Sequence, residues 1–206
     1  MRDVFSMRRL PFLLLSGIVL AFGCGSSTSE KEPLDKPTHT PLPPKKSGRK
    51  SFDLDQLTQN KGSVFVFLSP DCPLCQSYSP ELKKLSSRYL RDSIRFYAIF
   101  PGKLYSEEEI GKFFKDYDIG MPYFTDEDRR LTDFLEATVT PEVFLVDKGG
   151  FVQYKGRIDN WAYDIGRKRP AATEHDLSDA LEAFVHAKEI RVKETQAVGC
   201  IIEKAK

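Results

Sequence analysis

Cys72-Pro73-Leu74-Cys75 follows an apolar run at residues 64–68 and marks the start of a helix. The run before it is a continuous stretch of β-prone side chains, which is typical of a strand buried on both faces. Pro73 suits the first turn of a helix because its missing N–H would have no helical partner there. The apolar side chains that follow recur every three or four residues, as one helix face requires: Leu74, Tyr78, Leu82, Leu85 and Tyr89. The two cysteines are therefore predicted to lie where a buried strand turns into a helix.

Two thiols at this position indicate redox chemistry. Unpaired N–H groups and the positive end of the helix dipole favour a thiolate over a thiol, so Cys72 is predicted to be the more acidic and more nucleophilic cysteine. In thiol–disulfide exchange, Cys72 would attack a substrate disulfide and Cys75 would resolve the mixed disulfide. Whether exchange runs as a reduction or an oxidation depends on the relative stabilities of the dithiol and the disulfide, which the motif does not specify.

Strand-like and helix-like segments alternate along the rest of the chain. A strand is predicted at residues 94–100, and Ser106-Glu107-Glu108-Glu109 has the form of a capping box that begins a helix. The remaining predicted elements are a short strand at 122–125, a helix at 128–136, a hairpin at 142–155 and a helix at 173–187. Because crossovers between parallel strands are right-handed, this order predicts an α/β fold with a mixed central β-sheet and helices on both faces.

The N-terminal residues resemble an export signal. Two arginines precede an apolar run at residues 10–22, which is short for a bilayer span and has the layout of a secretory signal. The run ends at Cys24 in a sequence that resembles the lipobox of bacterial lipoproteins. Residues 1–23 are therefore predicted to be a lipoprotein signal peptide and Cys24 the lipidation site. Residues 24–50 are rich in Ser, Thr, Lys and Pro, and are predicted to form a lipidated N-terminus and a disordered tether.

The charge of the chain gives no indication of a nucleic-acid partner. The 206 residues include 31 basic and 30 acidic side chains, for a formal net charge of +1, so no global field attracts a polyanion. The predicted location is the bacterial cell envelope, with the protein lipid-anchored to a membrane and facing the periplasm or the exterior. Disulfides persist in that setting.

Residues 51–190 resemble a thioredoxin-like domain. The resemblance rests on the CxxC between the first long strand and a helix, on Thr140-Pro141 before a predicted strand, and on the turn at residues 147–150 after that strand. It implies that Pro141 is a cis-proline that lies against the CxxC and exposes a backbone edge to substrate. It also implies a thiol-disulfide oxidoreductase that needs no cofactor and no metal, similar to exported, membrane-anchored oxidoreductases and to the redoxin or peroxiredoxin-like group.

Two residues depart from thioredoxin. Asp71 stands where thioredoxin has a tryptophan, and its charge is expected to oppose thiolate formation at the adjacent cysteine. Val66 stands where thioredoxin has a buried aspartate, so proton transfer to or from Cys75 needs another group. Glu142 is the candidate for that transfer.

Two alternative functions use the same cysteines. Ser69-Pro70-Asp71-Cys72 resembles the Thr/Ser-x-x-Cys signature of peroxiredoxins, which implies a thiol peroxidase whose Cys72 is oxidised to a sulfenic acid. The sequence is also compatible with a thioredoxin-fold copper chaperone, in which His175 would join the two cysteines as a ligand. Zinc is not indicated, because the chain has no second CxxC and no suitably spaced pair of histidines.

Cys200 lies in a short apolar patch of the C-terminal tail at residues 191–206. If Cys24 carries lipid and Cys72 pairs with Cys75, Cys200 is left without a partner. It is either a buried thiol or an extra thiol that reacts with Cys72, as a resolving cysteine would, or with another protein. The predicted partners are thiols or disulfides of exported proteins, an upstream redox partner and, through the lipid anchor, the membrane.

Overall fold

A five-stranded mixed sheet forms the centre of the computed structural model, which describes residues 59–203. The predicted signal peptide, Cys24 and the tether lie outside the described residues. The strands of the central sheet are β1 (Gly62–Phe67), β2 (Ile94–Pro101), β3 (Tyr123–Asp126), β5 (Glu142–Asp147) and β6 (Val152–Gly156), and a short β4 (Val139–Thr140) lies outside it. The strand order is β3-β2-β1-β5-β6. β1, β2 and β3 are parallel, β5 is antiparallel to β1, and β6 is antiparallel to β5.

Four α-helices accompany the sheet in the described part of the chain: α1 (Pro73–Tyr89), α2 (Glu107–Asp116), α3 (Arg130–Leu135) and α4 (Asp176–Val185). The predicted capping box of α2 is present. The Ser106 hydroxyl accepts a hydrogen bond from the Glu109 N–H at 3.3 Å, and the Glu109 carboxylate accepts one from the Ser106 N–H at 2.8 Å. Within residues 59–203, no helix is long and apolar enough to cross a bilayer.

Side chains of β1 point alternately to two hydrophobic layers. Val64 and Val66 face the layer that contains the buried side chains of α1, α2 and α4, whereas Phe65 and Phe67 face the layer that contains those of α3. The prediction of a mixed sheet with helices on both faces is therefore confirmed. Each fully buried aliphatic or aromatic side chain stabilises the fold by about 1.5–3 kcal/mol relative to its exposed state.

Some short strands have no counterpart in the predicted elements. β7 (Ala162–Asp164) and β8 (Arg167–Lys168) form a hairpin, and β9 (Cys200–Ile201) pairs antiparallel with β4. A strand of two or three residues is too short to show a period-two pattern, and its stability depends on the partner that tertiary structure supplies. In the β4–β9 pair, Cys200 lies opposite Thr140.

The chain beyond residue 190 continues to contact the domain. The Thr195 N–H donates to the Lys155 carbonyl at 3.0 Å, and the Thr195 hydroxyl lies 2.7 Å from the Tyr154 hydroxyl. Gly156, with φ of 131°, allows the tail to pass this close to β6, because a Cβ at this position would lie 2.1 Å from the Thr195 carbonyl oxygen. Ile202 is then buried in the layer that contains α3. These contacts bring the tail from the end of β6 to β4.

Candidate active site

The CxxC lies at the N-terminus of α1, as the sequence predicts. Cys72 is the N-cap residue in an extended conformation, and Pro73 follows it in the first turn. The Cys72 N–H donates to the Ser69 carbonyl at 3.2 Å, and the Gln76 side chain donates to the Pro70 carbonyl at 2.9 Å. Cys72 and Cys75 have no exposed surface, and both are free thiols. The loop after β1 therefore holds both sulfur atoms inside the domain.

The Thr140–Pro141 peptide bond is cis and lies beside the CxxC. The Cys72 thiol contacts the Thr140 carbonyl oxygen at 3.0 Å, and the Ser69 hydroxyl lies 3.0 Å from the Thr140 hydroxyl. The structure thus brings the corner between β4 and β5 against the first cysteine. This is the placement that the resemblance implies for Pro141.

Cys200 lies against Cys72, although the two residues are far apart in sequence. Its pairing with Thr140 brings both its thiol and its backbone N–H within hydrogen-bonding reach of the Cys72 sulfur. Cys200 is partly exposed, whereas Cys72 is completely covered. The apolar residues around Cys200 predict that it is buried. Nothing in the sequence predicts that it lies beside Cys72.

Hydrogen-bond donors stabilise the thiolate form of Cys72. Its pKa is lowered to about 5, first by a hydrogen bond from the Cys75 thiol and then by donors from Cys200 and from the Cys75 backbone N–H. Burial opposes this shift. In its protonated form, the Cys72 thiol donates to the Thr140 carbonyl at 3.0 Å. The direction agrees with the sequence prediction, and the largest cause that lowers the pKa is the hydrogen bond from the Cys75 thiol.

The other two thiols are held in their protonated forms. The pKa of Cys75 is raised, chiefly by burial and further by the hydrogen bond and the negative charge of Cys72. The pKa of Cys200 is raised to about 12 by burial and by the same thiolate. At neutral pH the site therefore contains one thiolate, at Cys72, with two thiols that donate to it.

Asp71 does not prevent thiolate formation at Cys72. Its exposed carboxylate accepts a hydrogen bond from the Tyr105 hydroxyl, and its charge contributes to the raised pKa of Cys200. Burial, followed by the interaction with Asp71, raises the pKa of Tyr105, so this hydroxyl remains a donor at neutral pH. The opposition expected from Asp71 is not among the causes that shift the pKa of Cys72, which are burial and the hydrogen bonds from Cys75 and Cys200.

A chain of hydroxyl groups leads from the buried Cys75 to the surface. The Thr140 hydroxyl is within hydrogen-bonding reach of the Cys75 sulfur, and it lies 3.0 Å from the Ser69 hydroxyl. Ser69 is in turn within reach of Tyr105, which donates to the exposed Asp71. Sequence reasoning missed this chain because its members come from three separate segments. Every link can both accept and donate a proton.

Glu142 is buried at the start of β5. Its carboxylate accepts hydrogen bonds from the backbone N–H groups of Thr138 at 2.8 Å and Val139 at 3.4 Å. Burial raises its pKa, and these N–H donors oppose the shift. Glu142 therefore holds the backbone of β4 in place, and its role in proton transfer to Cys75 remains a prediction.

The copper-chaperone alternative gains no support from the arrangement of donors. His175 is exposed at the N-terminus of α4. Within residues 59–203, no group of three or more His, Cys, Asp or Glu side chains is arranged to hold a metal ion.

The pKa of Cys72 leads to a pH-dependent alkylation rate. Because this pKa is lowered to about 5, the rate at Cys72 is expected to rise as the pH increases through about 5 and then to level off. A thiol with the ordinary value of 9.0 would continue to gain reactivity near pH 9. Iodoacetamide labelling, quantified on the Cys72 peptide by mass spectrometry, measures the profile. A rate that still rises steeply between about pH 7 and 9 would contradict the assigned thiolate.

Comparisons with known proteins agree with this fold and identify its family. The model of the AhpC/TSA family matches residues 39–155, more than half of the chain. Thiol-disulfide oxidoreductase YkuV of Bacillus subtilis (strain 168) is 27% identical over 103 residues, which cover 48% of this chain and 69% of that protein. A hypothetical protein of Sinorhizobium meliloti 1021 has a similar structure, with a TM-score of 0.64, 24% identity, and coverage of 75% of this chain and 85% of that one.

A second solved structure, of a thioredoxin-like protein in the oxidized form, has a TM-score of 0.54 and 20% identity. The match covers 73% of this chain and 98% of that one. At these identities the solved structures support the fold alone. With the family match and the related oxidoreductase, the comparisons lead to one conclusion: the chain belongs to the AhpC/TSA family and is a thioredoxin-like oxidoreductase.

Proposed function

We propose that the protein is a membrane-anchored thiol-disulfide oxidoreductase that acts on disulfides or dithiols of exported proteins through Cys72 and Cys75. The observation that carries this proposal is the difference between the two sulfur atoms. The pKa of Cys72 is lowered to about 5, whereas that of the adjacent Cys75 is raised. A thiolate beside a protonated thiol is the arrangement in which one sulfur attacks and the other waits to resolve the product.

The reductive direction illustrates the chemistry. The Cys72 thiolate attacks one sulfur of a substrate disulfide, the substrate S–S bond breaks, and the released sulfur takes up a proton. Cys75 then gives up its proton and attacks the Cys72 sulfur of the mixed disulfide. The second substrate sulfur leaves as a thiol, and a Cys72–Cys75 disulfide remains. The oxidative direction is the reverse of these steps.

The chain of hydroxyl groups gives Cys75 a route for its proton. Burial and the neighbouring thiolate raise the pKa of Cys75, so its deprotonation needs an acceptor. Thr140 lies within reach of that sulfur, and Ser69 and Tyr105 connect Thr140 to the exposed Asp71. This route replaces the buried aspartate that the sequence lacks at Val66.

Tyr105→Phe tests the proton route. This change removes the hydroxyl that links Ser69 to Asp71, so the resolving step by Cys75 is expected to slow about tenfold or more and to depend more steeply on pH. Rapid-quench measurement of mixed-disulfide decay provides the rate. Tyr123→Phe is the matched control, because the Tyr123 hydroxyl donates to Glu107 at 2.7 Å at another place in the domain. Equal decay rates in both variants would rule out a role for Tyr105.

The membrane anchor and the export of the protein are supported by sequence alone. The apolar run at residues 10–22 ends in a lipobox-like sequence, and the Pro- and Ser-containing residues after Cys24 suit a tether. Labelling of cells with a fatty-acid analogue is expected to mark the wild-type protein and not Cys24→Ala. Label in both proteins, or in neither, would contradict lipidation at Cys24.

Trapping of a mixed disulfide tests the assigned roles of Cys72 and Cys75. The trapping variant combines Cys75→Ser with Cys200→Ser, because Cys200 is close enough to Cys72 to compete as a resolving thiol. Serine keeps a hydroxyl donor beside the Cys72 sulfur. With a disulfide-containing protein such as insulin, this variant is expected to accumulate a mixed disulfide at Cys72 while the wild type turns over. Turnover by the wild type without accumulation in the variant would contradict the roles.

A thiol peroxidase is the second candidate function, and the proximity of Cys200 to Cys72 favours it. A peroxide would oxidise the Cys72 thiolate to a sulfenic acid and leave as an alcohol or water. The Cys200 thiol would then condense with the sulfenic acid to form a disulfide and release water. Peroxide consumption that requires Cys72 and Cys200 but not Cys75 would select this function over the first.

A further inference from the structure

Cys72 is completely covered, although it lies in a loop at the end of a helix. Three groups contact its sulfur: the Thr140 carbonyl, Cys75 and Cys200. The first two belong to the interior of the domain, whereas Cys200 comes from the tail and is partly exposed. A substrate sulfur that approaches Cys72 from the side of the tail therefore has to take the place of Cys200.

The tail is held there as a strand. Cys200 pairs antiparallel with Thr140, and the Ile202 N–H donates to the Thr138 carbonyl at 2.9 Å. Gly199 approaches the edge so closely that an added Cβ would lie 2.2 Å from the Thr140 carbonyl oxygen. Ile202 is buried in the hydrophobic layer that contains α3. The position of Cys200 is fixed by its backbone pairing with β4, by the close approach of Gly199 to Thr140 and by the buried side chain of Ile202.

We propose that residues 199–202 are a built-in substrate strand that occupies the binding edge of β4 and presents Cys200 to Cys72 as a third redox-active thiol. This inference rests on the proposed thiol–disulfide exchange at Cys72. It goes further by naming the segment that fills the edge and the class of peptide that would displace it. Such a peptide is extended, has glycine before its cysteine and has a branched aliphatic residue two positions after it.

The covalent step is an internal exchange. After substrate reduction has produced the Cys72–Cys75 disulfide, the Cys200 sulfur attacks Cys72. The Cys72–Cys75 bond breaks, a Cys72–Cys200 bond forms, and the proton lost by Cys200 is balanced by one gained at Cys75. No external oxidant is required, because one disulfide replaces another. The step moves the disulfide from two buried sulfurs to a pair that includes a partly exposed one.

The charge on Cys72 controls when Cys200 can react. While Cys72 is a thiolate, its hydrogen bond and its charge help to keep Cys200 protonated. Once Cys72 is part of a disulfide, this charge is gone. Burial is then the main cause that still raises the pKa of Cys200. Cys200 therefore becomes a better nucleophile when a disulfide is present for it to attack.

Disulfide mapping in the full-length chain tests the proposal. All variants carry Cys24→Ser, and the Cys75→Ser variant is treated with glutathione disulfide. Glutathione first joins Cys72, and attack by Cys200 is then expected to release it and to leave a Cys72–Cys200 disulfide that peptide mapping detects. The matched control, Cys75→Ser with Cys200→Ser, is expected to retain glutathione on Cys72.

Adding Gly199→Val to Cys75→Ser is expected to slow glutathione release about tenfold or more. An undocked tail presents its thiol only at the millimolar effective concentration of a flexible linker.

The outcomes separate this proposal from the proposed function. If Cys72 of Cys75→Ser retains glutathione and Cys200 stays a free thiol, the built-in substrate strand is wrong and the exchange activity of Cys72 stands. If Cys72 takes up no glutathione in any variant, the proposed function fails as well. Circular dichroism of each variant verifies that the fold is intact.

Discussion

Replacing Cys72 with serine is expected to lower the rate of protein-disulfide reduction by about 10³-fold or more. The Cys72 thiolate forms at a pKa of about 5 because Cys75 and Cys200 donate hydrogen bonds to its sulfur. A serine hydroxyl remains protonated at neutral pH in the same surroundings, and its oxygen does not take part in thiol–disulfide exchange. Cys75 is a poor replacement for the attacking group, because burial, the largest cause of its raised pKa, remains when the Cys72 thiolate is removed.

Insulin reduction, followed with a chemical dithiol as the reductant, measures this loss. Cys24→Ser is the matched control, since it removes a cysteine that lies outside the described domain, and it is expected to retain the wild-type rate. A Cys72→Ser protein that is folded by circular dichroism and still reduces insulin within about tenfold of the wild-type rate would show that another group attacks the substrate.

The second large effect is expected when the tail strand is displaced. Gly199→Val introduces a Cβ that would lie 2.2 Å from the Thr140 carbonyl oxygen, so the strand cannot keep its place on β4. Cys72 loses the cover of Cys200, and its maximal alkylation rate is expected to rise about tenfold or more if docking of the strand is worth about 1.4 kcal/mol. The pKa of Cys72 is expected to rise at the same time, because the donors from Cys200 are lost.

Comparison of plateau rates separates exposure from ionisation. Alkylation of the Cys72 peptide is measured across pH, and the plateau values are compared where Cys72 is fully ionised in both proteins. Gly111→Val is the matched control, since a Cβ at Gly111 meets nothing within 4 Å. An unchanged plateau in Gly199→Val, with the pKa of Cys72 still near 5, would show that the tail strand neither covers nor stabilises the thiolate.

The arrangement of the main strands and helices is predictable from local patterns. The apolar run of β1, the helical spacing after Pro73 and the capping box at Ser106 all reflect backbone geometry that acts over a few residues. The β4–β9 pair is not predictable in this way. Two residues carry no periodicity, and the segment that pairs with β4 lies about sixty residues further along the chain.

Local sequence patterns predict the α/β class, the position of the CxxC at a helix N-terminus and Cys72 as the more acidic thiol, because each depends on neighbouring residues. The folded chain adds hydrogen-bond donors to Cys72 that no local pattern predicts. It placed the thiol of Cys200 beside Cys72 and linked Cys75 to Asp71 through Thr140, Ser69 and Tyr105. Hydrogen bonds and charges act over a few ångströms in space, so the residues that set these pKa values are known only once the chain has folded.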